Sequence, residues 1–382
     1  MKKLFYIGLI GLALFEFLKV YFIMPFPGSQ TINSLDVAYA FHVYRWMIRI
    51  TFLMMIAVGA ASAFSIKIKW IPALAILPTL IIAYYFNYEM TAESIFKEPA
   101  NLVFKNKSNN TLGDSAIVVG VQHNGQVKAY PVQFIIYHHQ VRDTVGGKQM
   151  MITYCSVCRT GRVFEPVVQG KPEQFRLVGM DHFNAMFEDQ TTRSWWRQVN
   201  GEAVTGRLKG EKLPEVESFQ MSIGKLFQLY PDALVMQADA LSLEESKYDS
   251  LAKYERGKSK GNLTRTDSVS WNDKSWVIGV EIDGVSKAYD WIELKSKRVV
   301  NDEVGNTPIV IALSHDDRSF VAFRRPADSL TFTVRNDSLF AGTSGYNFAG
   351  KGPSKLARVN AYQEFWHSWK TFHPSTTQYN AE

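Results

Sequence analysis

Residues 118–130 read VVGVQHNGQVKAY, and residues 277–289 read VIGVEIDGVSKAY. These are one pattern written twice, 159 residues apart. Val118-Val119-Gly120-Val121 recurs as Val277-Ile278-Gly279-Val280, and Lys128-Ala129-Tyr130 as Lys287-Ala288-Tyr289. Between them, Asn124-Gly125 and Asp283-Gly284 supply the positive φ values of a two-residue turn, so each stretch reads as a β-hairpin. Outward from the hairpins the match continues. Val141, Asp143, Val145 and Gly146 meet Val300, Asp302, Val304 and Gly305, and Phe164 meets Phe323. Each copy also closes alike, with Phe227-Gln228-Leu229-Tyr230-Pro231 resembling Lys370-Thr371-Phe372-His373-Pro374. Self-similarity on this scale signals duplication. Short helices are predicted at Val132–Tyr137 and Trp291–Leu294, and buried strands at Gln149–Tyr154 and Thr307–Leu313. The fold class is therefore α+β, with two tandem strand-rich repeats in a pseudo-two-fold relation. The first spans 100–240, a connector rich in Ser, Lys, Asp and Asn spans 241–274, and a degenerate second repeat spans 275–382.

Ahead of the repeats lie three apolar runs, at about 4–24, 48–66 and 70–88. Each approaches the ~20 residues that span a bilayer, which predicts a three-helix membrane anchor over residues 1–90. Glu16 and Lys19, three apart on one helical face, are placed to pair. No small-x-small cleavage signal precedes Pro25 and Pro27, so the first run reads as an anchor rather than a removable leader. Lys2, Lys3, Lys67 and Lys69 outweigh Arg45 and Arg49 and hold the N-terminus and the second loop inside. Three crossings then put the soluble domain outside the cytoplasm, in a multi-pass protein of the inner or plasma membrane. The segment Asp36–Trp46 is expected to lie along the outer interface as an amphipathic helix.

The net charge of +6 does not point to nucleic acid. Residues 1–90 hold seven basic and three acidic groups, and this excess flanks the apolar runs, where it sets topology. The lipid bilayer is the partner that the sequence names; it names no protein partner.

Cys155 and Cys158 are the only two cysteines in the chain, which excludes a four-cysteine metal cluster and a disulfide-rich scaffold. Three readings of Cys-x-x-Cys stay open. The preferred one is a soft metal site for copper or zinc, with His138, and His139 beside it, completing the two thiolates. The second is thiol–disulfide catalysis by Cys155 and Cys158, with Arg159 and Arg162 favouring the thiolate. The third is a non-catalytic envelope scaffold with a structural disulfide. Whether the chain is an enzyme is left open. The second copy serves as a control: Ser314, Asp317 and Lys297 stand where the first has Cys155, Cys158 and His138. The scaffold does not require those three side chains.

The first copy resembles the domain of unknown function 3179 family. The residues that carry the likeness are Ala129-Tyr130-Pro131, His138, Val141, Asp143 through Gly147, Thr153-Tyr154-Cys155, Cys158 and Thr160. Asp189, Thr192, Ser194, Trp196, Gln198, Gly201-Glu202-Ala203 and Gly206 are similar to the family's second motif. The resemblance implies an extracytoplasmic bacterial domain and brings no activity. The chain departs from the family pattern at Arg159, where the family has Gly, at His139, where it has Glu, and at Arg142, where it has Asn.

Overall fold

The computed structural model describes residues 1–249 and 251–380. Ser250 of the expected connector and the last two residues of the expected second repeat lie outside the described residues. The chain is 30% helical and 31% strand, the mixed class expected. It divides into two compact units, each assembled from separated stretches of sequence.

One unit comprises Met1–Lys97, Glu173–Arg197 and Glu202–Lys212. Its helices Lys2–Tyr21, Arg45–Ala63 and Trp70–Glu89 are long and apolar enough to cross a membrane. A charge among such helices is costly unless paired. Glu16, on the first helix, accepts hydrogen bonds from Lys19 (3.0 Å), from Arg49 on the second (2.6 Å) and from Asn87 on the third (2.8 Å). The expected Glu16–Lys19 pair thus belongs to a larger knot that joins all three helices. The Asp36–Trp46 segment forms a helix at Leu35–Val43, where Ala38 is buried with Val178, Met186, Trp195 and Val204. Those partners come from the four-stranded antiparallel sheet Phe175–Asp181, Asn184–Asp189, Trp195–Arg197 and Ala203–Thr205.

The other unit comprises Glu98–Pro172, Gln198–Gly201 and Leu213–Glu382. The hairpin Ile117–His123/Gln126–Pro131 turns at Asn124 (φ 45°) and Gly125 (φ 80°). The hairpin Trp276–Ile282/Val285–Asp290 turns at Asp283 (φ 49°) and Gly284 (φ 80°), as Asn-Gly and Asp-Gly require. Pairing partners coincide throughout: Val119 faces Tyr130, and Ile278 faces Tyr289. Each hairpin leads into a seven-residue helix, Val132–His138 or Trp291–Lys297, and then into a three-stranded antiparallel sheet. In those sheets Asp143 faces Met150 and Asp302 faces Ile309. Tyr130 donates to Asp143 (2.7 Å) and Tyr289 to Asp302 (2.8 Å), while Lys128 and Lys287 pair with the same two carboxylates. Burial beside Asp143 raises the Tyr130 hydroxyl well above its usual pKa, so it stays a donor. Later strands, Ser218–Ser222 and Ala361–Phe365, pair antiparallel to the first strand of each hairpin, and each runs into a helix, Ile223–Leu229 or Trp366–Phe372.

The connector is not simply a surface stretch. It carries short helices at Ala240–Glu244 and Leu251–Glu255, and it buries Tyr248, Tyr254, Glu255 and Lys274.

Candidate functional site

Cys155 ends the strand Lys148–Cys155, and the chain turns back at Ser156–Arg159 into Thr160–Phe164. Both cysteines are free thiols, 3.2 Å apart and buried. The turn is held from several directions. Tyr254 donates its hydroxyl to the Ser156 carbonyl (2.7 Å), Lys274 donates to the Val157 carbonyl (3.0 Å), and the Phe365 N–H donates to the Cys158 carbonyl (2.8 Å). Arg159 donates to the Tyr254 and Glu255 carbonyls at 3.1 and 2.7 Å, with its guanidinium 3.7 Å over the Trp276 ring. Arg162 donates to the Val199 carbonyl (2.9 Å) and pairs with the fully buried Glu364 (3.2 Å).

The metal reading is overturned. Among the described residues no group of three or more His, Cys, Asp and Glu side chains is placed to hold a metal ion. The helix Val132–His138 closes with His139 in the left-handed conformation (φ 58°), its N–H donating back to the Ile135 carbonyl (2.9 Å). His138 Nε2 is then hydrogen-bonded to Tyr248 Oη (2.6 Å), and His139 Nδ1 lies 3.2 Å from the Tyr137 carbonyl. Burial lowers His139 to a pKa of about 4, a neutral ring. Neither imidazole completes a Cys155/Cys158/His138 site, and the same geometry leaves no ligand set for copper or zinc. The expected disulfide is absent as well. Nor do Arg159 and Arg162 activate a thiolate: burial, and then the neighbouring Cys155 thiol, push the Cys158 thiol well above its usual pKa.

A different feature emerges around the second copy. The stretch Asp316-Asp317-Arg318 stands 159 residues after Val157-Cys158-Arg159. It lines a cleft of about 510 Å³ together with Glu255, Trp276, Asp290, Trp291 and Gln363. Glu255 and Asp290 are 4% and 3% exposed. One carboxylate oxygen of each is occupied: Glu255 Oε1 accepts the Ile117 N–H (3.0 Å), and Asp290 Oδ2 caps the helix Trp291–Lys297 through the Glu293 N–H (2.8 Å). The second oxygen of each, Glu255 Oε2 and Asp290 Oδ1, has no hydrogen-bond partner among the described residues. Buried acceptors are ordinarily satisfied, so two unsatisfied ones lining one cleft mark a place where donors are taken from outside. Burial raises the Glu255 pKa.

Sequence reading missed both carboxylates. Asp290 had a signal, since it follows a strand, precedes a helix and replaces Pro131 of the first copy. Glu255 had none: it sits in a connector without periodicity.

The model of the family described as "Protein of unknown function (DUF3179)" matches residues 98–376. The chain belongs to that family. No curated protein and no solved structure matches it. Both hairpins, both cysteines and the cleft of this DUF3179 member fall inside the matched region. Where the DUF3179 pattern carries Gly, Arg159 adopts φ 60°, so the turn that glycine would favour is kept. A non-glycine residue there costs about 1–2 kcal/mol. The Trp276 stack and the two carbonyl bonds of Arg159 offset that strain.

Proposed function

We propose that this DUF3179 protein is a membrane-anchored binding protein whose soluble part lies outside the cytoplasm and takes up a small amine-bearing solute in the cleft beside Asp290. The observation that carries the reading is the pair of buried, unpartnered carboxylate oxygens of Glu255 and Asp290. A carboxylate is an acceptor, and an ammonium offers three donors with the charge that makes such bonds strong. Arg256 and Arg318 also line the cleft and can receive an anionic end of the same solute, as an amino acid would present.

The two strand-rich segments are read as a duplication packed about a pseudo-two-fold axis. The hairpin and three-stranded pairings at a shift of 159 residues support this, and so do two reciprocal contacts. The Phe365 N–H bonds the turn of the first copy at Cys158, and the Ser222 N–H bonds the turn of the second at Ser319 (2.9 Å). Gln220 and Gln363, which occupy equivalent strand positions, bond each other (3.1 Å), as a residue and its mate do on a two-fold axis. The extracytoplasmic placement rests on Lys2, Lys3, Lys67 and Lys69 at one end of three apolar helices. Arg49, which opposes them, is bonded to Glu16.

The test is thermal unfolding of the full chain in detergent against a panel of amino acids and alkylamines, with neutral polyols at equal concentration. An amine is expected to raise the midpoint. Glu255→Gln and Asp290→Asn, which keep the Ile117 bond and the helix cap, are each expected to weaken that amine about tenfold. Stabilisation by polyols alone, or undiminished amine binding in both variants, would contradict the reading.

A further inference from the structure

The membrane-helix unit holds a second cavity, of about 230 Å³, lined by Lys19, His42, Arg45, Arg49 and Arg176 among other residues. None of its lining residues is acidic. We infer that this cavity binds a phosphate ester, with the headgroup of an acidic phospholipid as its first source.

Four permanent cations around one small cavity repel each other unless anions answer them. Glu16, from outside the lining, answers Lys19 and Arg49 (3.0 and 2.6 Å). Glu188 answers Arg176 (2.9 Å) and also bonds His42 (2.8 Å). Arg45 has no carboxylate partner among the described residues; its guanidinium donates to the His42 carbonyl and keeps its other donors. A guanidinium fork matches phosphate oxygens, and cations already held by Glu16 and Glu188 are positioned without further ordering.

Placement identifies the source. Lys19 lies in the last turn of the first apolar helix, Arg45 and Arg49 begin the second, and Asn87, also in the lining, closes the third. The cavity therefore sits at one end of all three helices, where hydrocarbon gives way to headgroups. Tyr44, Trp46, Tyr84 and Tyr88 are exposed near those same helix ends, the aromatic belt expected at that depth. This inference rests on the three helices spanning a bilayer, and not on the amine cleft.

The test uses the full chain, purified in mild detergent and examined by native mass spectrometry for retained lipid. It is then titrated with nanodiscs of phosphatidylglycerol or of phosphatidylcholine, and separately with inorganic phosphate. Retained phosphatidylglycerol is expected, and Arg45→Gln and Arg176→Gln should each lower its retention about fivefold. Lys67→Gln, the same charge loss at the opposite end of the helices, should leave it unchanged. Stabilisation of the wild type by inorganic phosphate without lipid retention, lost in Arg45→Gln, would uphold the phosphate site and assign it a soluble ester. Equal retention in wild type and Arg45→Gln, or no preference for phosphatidylglycerol with no response to phosphate, would overturn it. A chain that fails to stay in detergent micelles would refute the membrane reading on which the site depends. The amine panel reports on the cleft separately.

Discussion

The turn at Cys155–Arg159 and the turn at Ser314–Arg318 follow the same strand and are closed by the same pairing, yet they meet different neighbours. The first is covered by the connector and by Lys274, and its carbonyls are bonded by side chains and backbone brought from up to two hundred residues away. The second lines a cleft beside two buried carboxylates that are only half satisfied. One scaffold thus presents a sealed turn and an open one, and the cover, rather than the strand geometry, makes the difference. Chemically distinctive residues do not mark the open side. The cysteines are where the molecule is most tightly closed.

The largest expected effect concerns the seal. Arg162 and Glu364 form a buried pair, and the equivalent positions in the other half are Val321 and Met221, both buried. Removing one partner of a buried ion pair costs about 3–5 kcal/mol. Chemical denaturation of Glu364→Ala should show a loss of that size. The double variant Arg162→Val with Glu364→Met, which copies the other half, should regain most of it. If the double variant is no better than Glu364→Ala, the two halves are not interchangeable there, and the two-fold relation fails at this contact.

A smaller effect tests the equivalence of the hairpins. A Cβ on Gly120 would meet the Phe219 ring at 2.1 Å, and one on Gly279 would meet the Trp369 ring at 2.2 Å. Overpacking of this kind costs about 1–3 kcal/mol. Gly120→Ala and Gly279→Ala should therefore destabilise alike in the same denaturation experiment. A large loss at one glycine and none at the other would separate the copies.

The hairpins were legible because Asn-Gly and Asp-Gly carry their turn geometry locally, and the apolar helices because their length alone matches a bilayer. The excursion Glu173–Lys212 was not. Alternating residues predict a strand, but nothing in them tells that Val178 and Trp195 pack with Ala38 rather than within the first repeat. His138 misled for a related reason: its partner Tyr248 lies 110 residues away in a connector that reads as solvent-facing. Cys155 and Cys158 were recognisable as a pair, whereas Lys274, Glu364 and His367, which surround them, come from the other half of the molecule.

The smallest effects separate the two turns by pH. Lys274, at the sealed turn, is lowered by burial to about 8 from 10.5. Between those values the unfolded chain binds more protons, so stability should rise with pH, and Lys274→Met should remove the rise. Glu255, at the cleft, is raised from 4.5 by burial, so the folded chain binds more protons above that value. Stability should fall as pH climbs through this window, and Glu255→Gln should remove the fall. Midpoints of urea unfolding measured across pH would show both slopes; the same sign at the two positions would contradict the assignment.

The most direct test compares the two turns as binding sites. Calorimetry of the best amine from the panel would be run on the wild type, on Cys155→Ser with Cys158→Ser, and on Glu255→Gln, each below its unfolding midpoint. The account predicts wild-type affinity in the double cysteine variant and about a tenfold loss in Glu255→Gln. Lost binding in the cysteine variant with full binding in Glu255→Gln would contradict it.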